Sequence, residues 1–583
     1  MVAGAGGVAV AGGRWWGALV LAVVATLWGG AGCTTNETFA QPPSSVDTYS
    51  NIYATDYVGA AACADCHAKQ YRQWSGNLHR AMNRRAGEPG AVVGAFDNRT
   101  IDYAGGKASF ITRPDGLIMS FHRIGQPAQR YRVTRTIGSR YIQEYVGVPV
   151  RASAAATTSK GVEVRLPFGY LIRRKKWLHQ QYFDSWFGPE YDERGQLTID
   201  PYKLDKSPWN QRCIWCHNTY PFELRAIRGG ASEPIGNGRE RFVSLATVRR
   251  TPAFVSRTRK SNALPIGELI SVGISCESCH LGGREHAKND QDISFVPRSA
   301  DLRPEPSAPN LRGGRKNHIV INSVCAQCHS TPASEFPNKG VIRNSSEALD
   351  MFAGSCTTKI KCTHCHDPHQ KGPGADAPDQ PRHIAACVKC HGTLAAASAQ
   401  QEHSRHPPGT VSCLDCHMPK MVQGVSSFVR SHRISSPTND AMLRAGAPNA
   451  CSMCHLDRSI KWTVSALNKG WAANITLTRH WLTSYGGDLT RPVGEVWMTG
   501  RKRLYRAVAA AAYARTRLSG TVLRLMLQRL DDPVAYYRMW MLYAVEKTLG
   551  RALTVAEYGP TLPAAVRGRQ VRALLARERG GTL

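Results

Sequence analysis

The chain has 583 residues and carries 74 Lys and Arg against 43 Asp and Glu, a formal net charge of +31. Such a surplus ordinarily points to nucleic acid, an anionic lipid surface or an acidic partner. Past residue 33 no apolar stretch is long enough to span a bilayer, which excludes a bundle of membrane helices.

At the N-terminus one basic residue, Arg14, precedes an apolar run from Trp15 to Trp28, followed by Gly29, Gly30, Gly32 and Cys33. At about 14 residues the run is short for a transmembrane helix, so residues 1–33 read as an export signal. Gly30-Ala31-Gly32-Cys33 resembles a lipoprotein box, with Gly30 where that pattern prefers Leu, and implies a lipid anchor at Cys33. Residues 34–56 include Gln41-Pro42-Pro43-Ser44-Ser45, are polar and lack period, and read as a linker. The protein is therefore expected outside the cytoplasm, in the periplasm or at the outer membrane, where nucleic acid is not a partner.

The folded part starts near Tyr57, and Cys63-Ala64-Asp65-Cys66-His67 is the first of eight Cys-x-x-Cys-His motifs. The others are Cys213, Cys216 and His217; Cys276, Cys279 and His280; Cys325, Cys328 and His329; Cys362, Cys365 and His366; Cys387, Cys390 and His391; Cys413, Cys416 and His417; and Cys451, Cys454 and His455. In such a motif the two thiols add across the vinyl groups of one haem, and the adjoining His becomes the proximal ligand of its iron. Zinc sites also use Cys-x-x-Cys, but zinc has no reason to append His to every pair. Sixteen of the 18 Cys are used this way, and Cys356 reads as an inert thiol. The expected cofactors are eight covalently bound haem c groups. Export agrees, because the thiols would otherwise pair as disulfides in that compartment. Eight haems bring two propionates each, which would cancel about 16 of the positive charges and leave about +15.

Residues 57–95 form the first haem module, and residues 96–205 read as a β-rich insert. Its runs are Lys107 to Thr112, a turn at Arg113-Pro114-Asp115-Gly116, Leu117 to Arg123, Arg130 to Ile137 and Arg140 to Val150. Their alternation predicts a small antiparallel sheet that covers and stiffens the first haem region. Residues 206–455 are the multihaem core with seven motifs, six of them between Cys276 and His455, and with little regular secondary structure expected. A compact body of 180 residues has a radius of gyration of about 16 Å, which puts six irons on the order of 18 Å apart. Residues 456–583 turn helical, at Arg501 to Arg517, Thr521 to Leu530, Val534 to Leu549 and near Ala564 to Arg579, with Asp531-Asp532-Pro533 as a stop and a start. The stretch from Asp531 to Ala544 looks like one helix of a HEAT-type repeat, although a plain bundle would read the same. The fold class is thus mixed: a haem-packed core, a β insert and a helical C-terminal domain.

A second His on the iron gives a saturated centre, while an open position admits substrate. Twelve His lie outside the proximal set. The distal candidates are His79, His286, His318, His369, His383, His406 and His432, each near a motif or in a polar, Gly- and Pro-punctuated loop. His122, His179, His364, His403 and His480 read as surface or propionate-bonding side chains. His366 and His369 are three residues apart, so one cannot reach the far face of the haem that the other holds, and His369 should serve a neighbouring haem. The same holds for His286 and His383.

Tyr57 to Cys66-His67, continuing through Trp74 to His79, resembles the N-terminal module of the tetrahaem cytochromes c of nitrifying bacteria, which implies an axial role for His79. Cys276-Glu277-Ser278-Cys279-His280 with His286 is similar to the Cys-Glu-x-Cys-His-Gly-Pro-Gly-x-x-His module of large multihaem cytochromes, with Leu281 and Gly282 in place of Gly-Pro. Cys362 to His369 and His406 to Pro419 resemble paired-motif segments of the same superfamily. That superfamily holds electron carriers as well as nitrite reductases and hydroxylamine dehydrogenases. The expected function is electron transfer along closely packed haems, with redox proteins as partners, either other cytochromes or a membrane quinol-linked complex. The alternative is an octahaem oxidoreductase acting on small nitrogen compounds. The dehydrogenases cross-link a C-terminal Tyr to their catalytic haem, for which Tyr485, Tyr505, Tyr513, Tyr536, Tyr537 and Tyr543 are at hand.

If Cys33 is acylated, Cys33→Ser should move the protein from the membrane fraction to the soluble fraction. A wild-type protein that fractionates as soluble and carries no lipid by mass spectrometry would refute the anchor.

Overall fold

Alternating apolar and polar residues build a large antiparallel sheet in the N-terminal third. The computed structural model describes residues 49–583 apart from 104, 151–161, 185–186, 204–206, 212, 229–247, 251–263, 265, 290–291, 301, 305–315, 357–358, 373–378, 380, 517 and 582. The export signal, Cys33 and residues 34–48 of the linker lie outside the described residues. The strands are β1 (Asn83–Arg85), β2 (Arg99–Tyr103), β3 (Gly106–Arg113), β4 (Gly116–His122), β5 (Gln129–Ile137), β6 (Ile142–Pro149), β7 (Val164–Arg165), β8 (Phe168–Leu171) and β9 (Lys176–His179). They run in the order β2-β3-β4-β5-β6-β8-β9, with β1 on β5 and β7 on β6. Every pairing is antiparallel.

The expected runs fall on β3 to β6. The sheet is larger than that reading, because β1 and β7 are too short to show a period and β8 is buried at every position, so it does not alternate. Its buried face is aromatic, with Phe110, Phe121, Tyr145, Phe168 and Trp177 in one cluster. The rings of Phe110 and Trp177 stack at 3.8 Å. The loop before β2 lies close on this face: a Cβ at Gly94 would meet the Tyr145 hydroxyl at 2.1 Å, while the Gly94 N–H donates to that oxygen at 3.0 Å. Only glycine permits that approach.

Helices dominate elsewhere. Those used below are α1 (Ala68–Ser75), α2 (His318–Ala326), α3 (Glu347–Phe352), α4 (Ile460–Trp471), α5 (Val493–Thr499), α6 (Arg503–Tyr513), α7 (Ser519–Gln528), α8 (Ala535–Leu549) and α9 (Ala564–Arg579). The last four match the expected C-terminal helices, while α4 and α5 begin the helical region earlier. Asp532 explains the break before α8: its carboxylate accepts the Val534 N–H at 3.0 Å and pairs with Arg503 and Arg506 on α6. Among the described residues no helix is long and apolar enough to cross a membrane.

The C-terminal helices share one apolar core with distant segments, from Leu171, Leu178 and Tyr182 through Phe336, Met421 and Phe428 to Leu574. A buried polar cluster ties the same parts together. Arg538 of α8, with a fully buried side chain, meets Glu190 at 2.5 Å. Glu190 also accepts the Tyr182 hydroxyl at 2.6 Å and lies 3.6 Å from Arg567. Arg538 further donates to the carbonyls of Asp532 and Pro560, at 2.7 and 3.1 Å. His179 lies beside this cluster, and burial, then the Arg538 charge, push its pKa down to about 3.

Removing one member of a buried pair strands the other charge, so Arg538→Ala should lower stability by about 3–5 kcal/mol. Arg538→Met combined with Glu190→Leu should recover much of that loss. Urea unfolding followed by circular dichroism would measure both, and a single variant as stable as wild type would refute the role.

Candidate haem sites

The eight motifs are local structures set by hydrogen bonds across the motif itself. In six of them, those that begin at Cys63, Cys276, Cys325, Cys362, Cys387 and Cys451, the His N–H donates to the carbonyl of the first Cys at 3.0 Å. That single turn puts two thiols and one imidazole on the same side of the backbone.

The first and third motifs are held together by Glu277, which is buried. Its carboxylate accepts the N–H groups of Val58, Gly59 and Gly283 at 2.9, 2.8 and 3.0 Å. Burial raises its pKa in spite of those bonds. Gly273 works at the same junction: with φ at +85°, a Cβ there would meet the Arg80 carbonyl at 2.5 Å. Leu281, in the place where the multihaem pattern has Gly, adopts φ +57°. With ψ at −166° this is a region almost confined to glycine, and a side chain there costs about 1–3 kcal/mol, so the surroundings must enforce the turn after His280.

Contacts between thiols of different motifs give the order of the sites in space. Cys63 is in hydrogen-bond contact with Cys276, Cys216 with Cys328, Cys325 with Cys362 and Cys387 with Cys413. Within electrostatic reach are Cys279 and Cys325, Cys365 and Cys387, and Cys416 with Cys451 and Cys454. The motifs therefore follow one another as first, third, fourth, fifth, sixth, seventh and eighth. The second joins at the fourth.

Imidazoles face each other in a narrow set of distances. Ring centres are 6.1 Å apart for His67 and His286, 6.3 Å for His280 and His369, 6.2 Å for His366 and His432, 6.1 Å for His417 and His403, and 6.1 Å for His455 and His406. His383 is also 6.3 Å from His366. Two imidazole nitrogens bound to one metal at about 2.0 Å each would put the ring centres about 6.3 Å apart. His366 has two such neighbours, and a six-coordinate iron takes only one of them.

The remaining candidates are placed differently. His79 donates to the Pro368 carbonyl and feels the charge of His329, while Asn77 donates to the carbonyls of Pro368 and Gln370 at 2.9 Å. His318 opens α2, and no imidazole is paired with it at the 6 Å spacing. Among the described residues the same is true of the proximal His217, His329 and His391. His122 and His480 are exposed. His179 is in the sheet core, and His364 accepts the Lys361 N–H. His403 was not singled out by sequence, yet the signal was there: His403 and His406 repeat the three-residue spacing of His366 and His369. Between them Arg405 takes φ +59° and ends a helix at Ser404, so the two rings point to different motifs.

Several rings are fixed and neutral. Burial, ahead of neighbouring charges, pushes the pKa of His217, His280 and His366 down to about 4, and a neutral imidazole is the form that binds a metal. His417 Nδ1 donates to the Ser435 carbonyl at 3.0 Å, His406 Nδ1 to Ser404 at 2.6 Å, and His329 Nδ1 faces Glu347 at 2.9 Å. Such bonds leave Nε2 for the metal.

The surroundings fit haem in two further ways. Between residues 353 and 410, which contain the fifth and sixth motifs, no described residue is buried. The helices there, Cys362–Cys365, Pro381–Val388 and Ala397–Ser404, contain no buried residue. The Nε atoms of Arg284 and Arg382, beside the third and sixth motifs, are buried without a hydrogen-bond partner, and a propionate would suit them. Among the described residues, no group of three or more His, Cys, Asp or Glu could hold a bare metal ion.

A family profile described as cytochrome c552 matches residues 399–469, which contain His403, His406 and the seventh and eighth motifs. Over that segment the chain is similar to the cytochrome c552 family. No curated protein sequence matches it. Among solved structures the chain is similar to the outer cell wall cytochrome OcwA, at 15% identity over 88% of this chain and 100% of that one, with a TM-score of 0.36. It is also similar to the octahaem sulfite reductase MccA of Wolinella succinogenes, at 14% identity over 92% of this chain and 86% of that one, with a TM-score of 0.31.

If ring spacing marks axial pairs, His403→Ala should convert one low-spin haem of the protein to high spin, while His480→Ala leaves the spectrum unchanged. Low-temperature electron paramagnetic resonance of the oxidised variants decides it, and identical spectra for the two would refute the pairing.

Proposed function

We propose that this protein is a multihaem cytochrome c that carries eight covalent haem c groups, one per Cys-x-x-Cys-His motif, and transfers electrons along them outside the cytoplasm. The observation that supports this most is the succession of neighbouring thiols from Cys63 to Cys454, some in hydrogen-bond contact and the others within electrostatic reach, which sets neighbouring attachment points close enough for fast tunnelling. Bound haem iron supplies one-electron exchange between its ferric and ferrous states. The chain's own residues do the rest. The cysteines fix each site, His67, His217, His280, His329, His366, His391, His417 and His455 face it from one side, and His286, His369, His403 and His406 face four of them from the other. His366 takes His432 or His383, and His79 is the closest candidate for His329. The partners are other redox proteins, a cytochrome or a membrane quinol-linked complex, and the location is the periplasm or a membrane surface.

One observation favours a second reading. Among the described residues His217 and His391 have no imidazole at the pairing distance, which leaves the second position of these two sites unassigned. An octahaem oxidoreductase acting on hydroxylamine or nitrite would use such a site. The six C-terminal tyrosines weaken that reading, since all belong to or pack against the helical core, with the Tyr485 hydroxyl on the Leu443 carbonyl at 2.6 Å.

Intact mass of the mature protein should show eight haem additions and no zinc, and fewer additions would sink the count. A stoichiometric high-spin signal that shifts on adding nitrite or hydroxylamine, with turnover, would replace electron carrier by enzyme.

A further inference from the structure

We propose that Glu347 sets the fourth haem site, at Cys325 and Cys328, to the lowest reduction potential of the chain by holding a carboxylate on the proximal His329. The proposal rests on the haem reading above and goes beyond it.

The geometry is built rather than incidental. Glu347 Oε2 faces His329 Nδ1 at 2.9 Å, and its other oxygen accepts the Ser345 N–H at 2.9 Å, so both carboxylate oxygens are engaged. Glu347 is the first residue of α3. The helix is anchored to the motif it serves: the Ala348 N–H donates to the His329 carbonyl at 2.9 Å, the Thr331 N–H to the Ser345 carbonyl at 2.9 Å, and the Ser346 hydroxyl to the Thr331 carbonyl at 2.5 Å. Ser345 adopts φ +64° to make this turn, a conformation that costs a non-glycine residue energy and that persists where the surroundings enforce it.

No other proximal imidazole has such a partner among the described residues. His417 Nδ1 meets a backbone carbonyl, and His217 and His280 Nδ1 are buried with no hydrogen-bond partner. The nearest rival is on a distal candidate, His369, whose Nδ1 is 3.4 Å from Asp367; that carboxylate is already bonded to the His369 N–H at 3.0 Å. A carboxylate accepting Nδ1–H pulls the proton away from the ring and makes Nε2 a stronger donor. Its negative charge adds to that effect, and both favour ferric over ferrous iron.

The position gives the device its purpose. The fourth motif is the junction where the second motif meets the succession, through Cys328 and Cys216 on one side and Cys325 and Cys362 on the other. A low-potential site there is a step that an electron must climb, which separates the N-terminal sites and the side branch from the run of sites from the fifth to the eighth.

The test uses the full, exported holoprotein. In Glu347→Gln, a spectroelectrochemical titration should show the lowest component move up by about tenfold in its equilibrium constant, about 59 mV for one electron, with the other components in place. Glu347→Asp, which keeps a carboxylate, should restore part of the shift. Near-infrared magnetic circular dichroism of the oxidised wild type should show one haem with its charge-transfer band displaced toward that of an imidazolate complex, and this band should be absent from Glu347→Gln. A wild-type spectrum without the displaced band overturns the proposal even where the variant fails to assemble. Eight haems by mass with an unmoved titration overturn it too, while fewer than eight haems in wild type would sink the haem reading instead.

Discussion

The second face of an iron cannot be reached from the segment that holds the first, and the arrangement of this chain follows from that constraint. A Cys-x-x-Cys-His motif commits its own His to one side of the site, and residues within a turn of it are committed to the same side. The opposing imidazole must arrive from elsewhere. His67 meets His286 across more than two hundred residues of sequence, His280 meets His369, and only near the C-terminal end do the pairs become local, with His403 beside the seventh motif. Closing a long loop costs little more than closing a short one, because the entropy grows only with the logarithm of length. Far-reaching pairs are therefore affordable, and they bind the N-terminal module to the middle of the chain.

That stitching matters most where ordinary packing is thinnest. The sheet has an aromatic core of its own and the C-terminal helices have a larger one, while the stretch from 353 to 410 buries no described residue. A segment with no fully buried side chain has little to offset the entropy of ordering about 60 residues. Its helices are positioned by the motifs there, so the polypeptide is scaffolding around bound groups. Order in this region should then depend on haem attachment far more than order in the sheet does, and the Arg538 and Glu190 pair shows how the two self-sufficient parts clamp the chain from either end.

Much of this was legible in the sequence, for identifiable reasons. The eight motifs are covalent signatures, independent of fold. Strands β3 to β6 showed themselves by alternation, and helices α6 to α9 by their length and by the Asp531-Asp532-Pro533 break, although α6 and α8 are buried at most positions. What stayed hidden had no such signal: β8 is buried on both sides, α5 is short and buried at most positions, and the pairings of His366 depend on three-dimensional approach. His403 illustrates a different failure. The three-residue rule that sent His369 away from the haem of His366 applies equally to His403 and His406, but it does not say which of the two is the ligand. The turn at Arg405 sends the two rings to different motifs, His403 toward His417 and His406 toward His455. Glu347 had no signal at all, since 18 residues separate it from His329 and only the turn at Ser345 brings them together.

The positive charge has a structural counterpart that composition alone could not locate. A net +31 would repel itself strongly in a compact chain, and the paired acids account for only part of the arginines. Arg284 and Arg382 each have a buried Nε without a partner, and each adjoins a motif. Leaving a buried donor unmade costs about 1–3 kcal/mol, so these side chains make sense only if an acceptor reaches them. Carboxylates carried by the bound groups would arrive at those positions, which are set by the same motifs. Arg284 and Arg382 would then serve as counterions to those groups inside the holoprotein, which removes part of the excess charge from the surface.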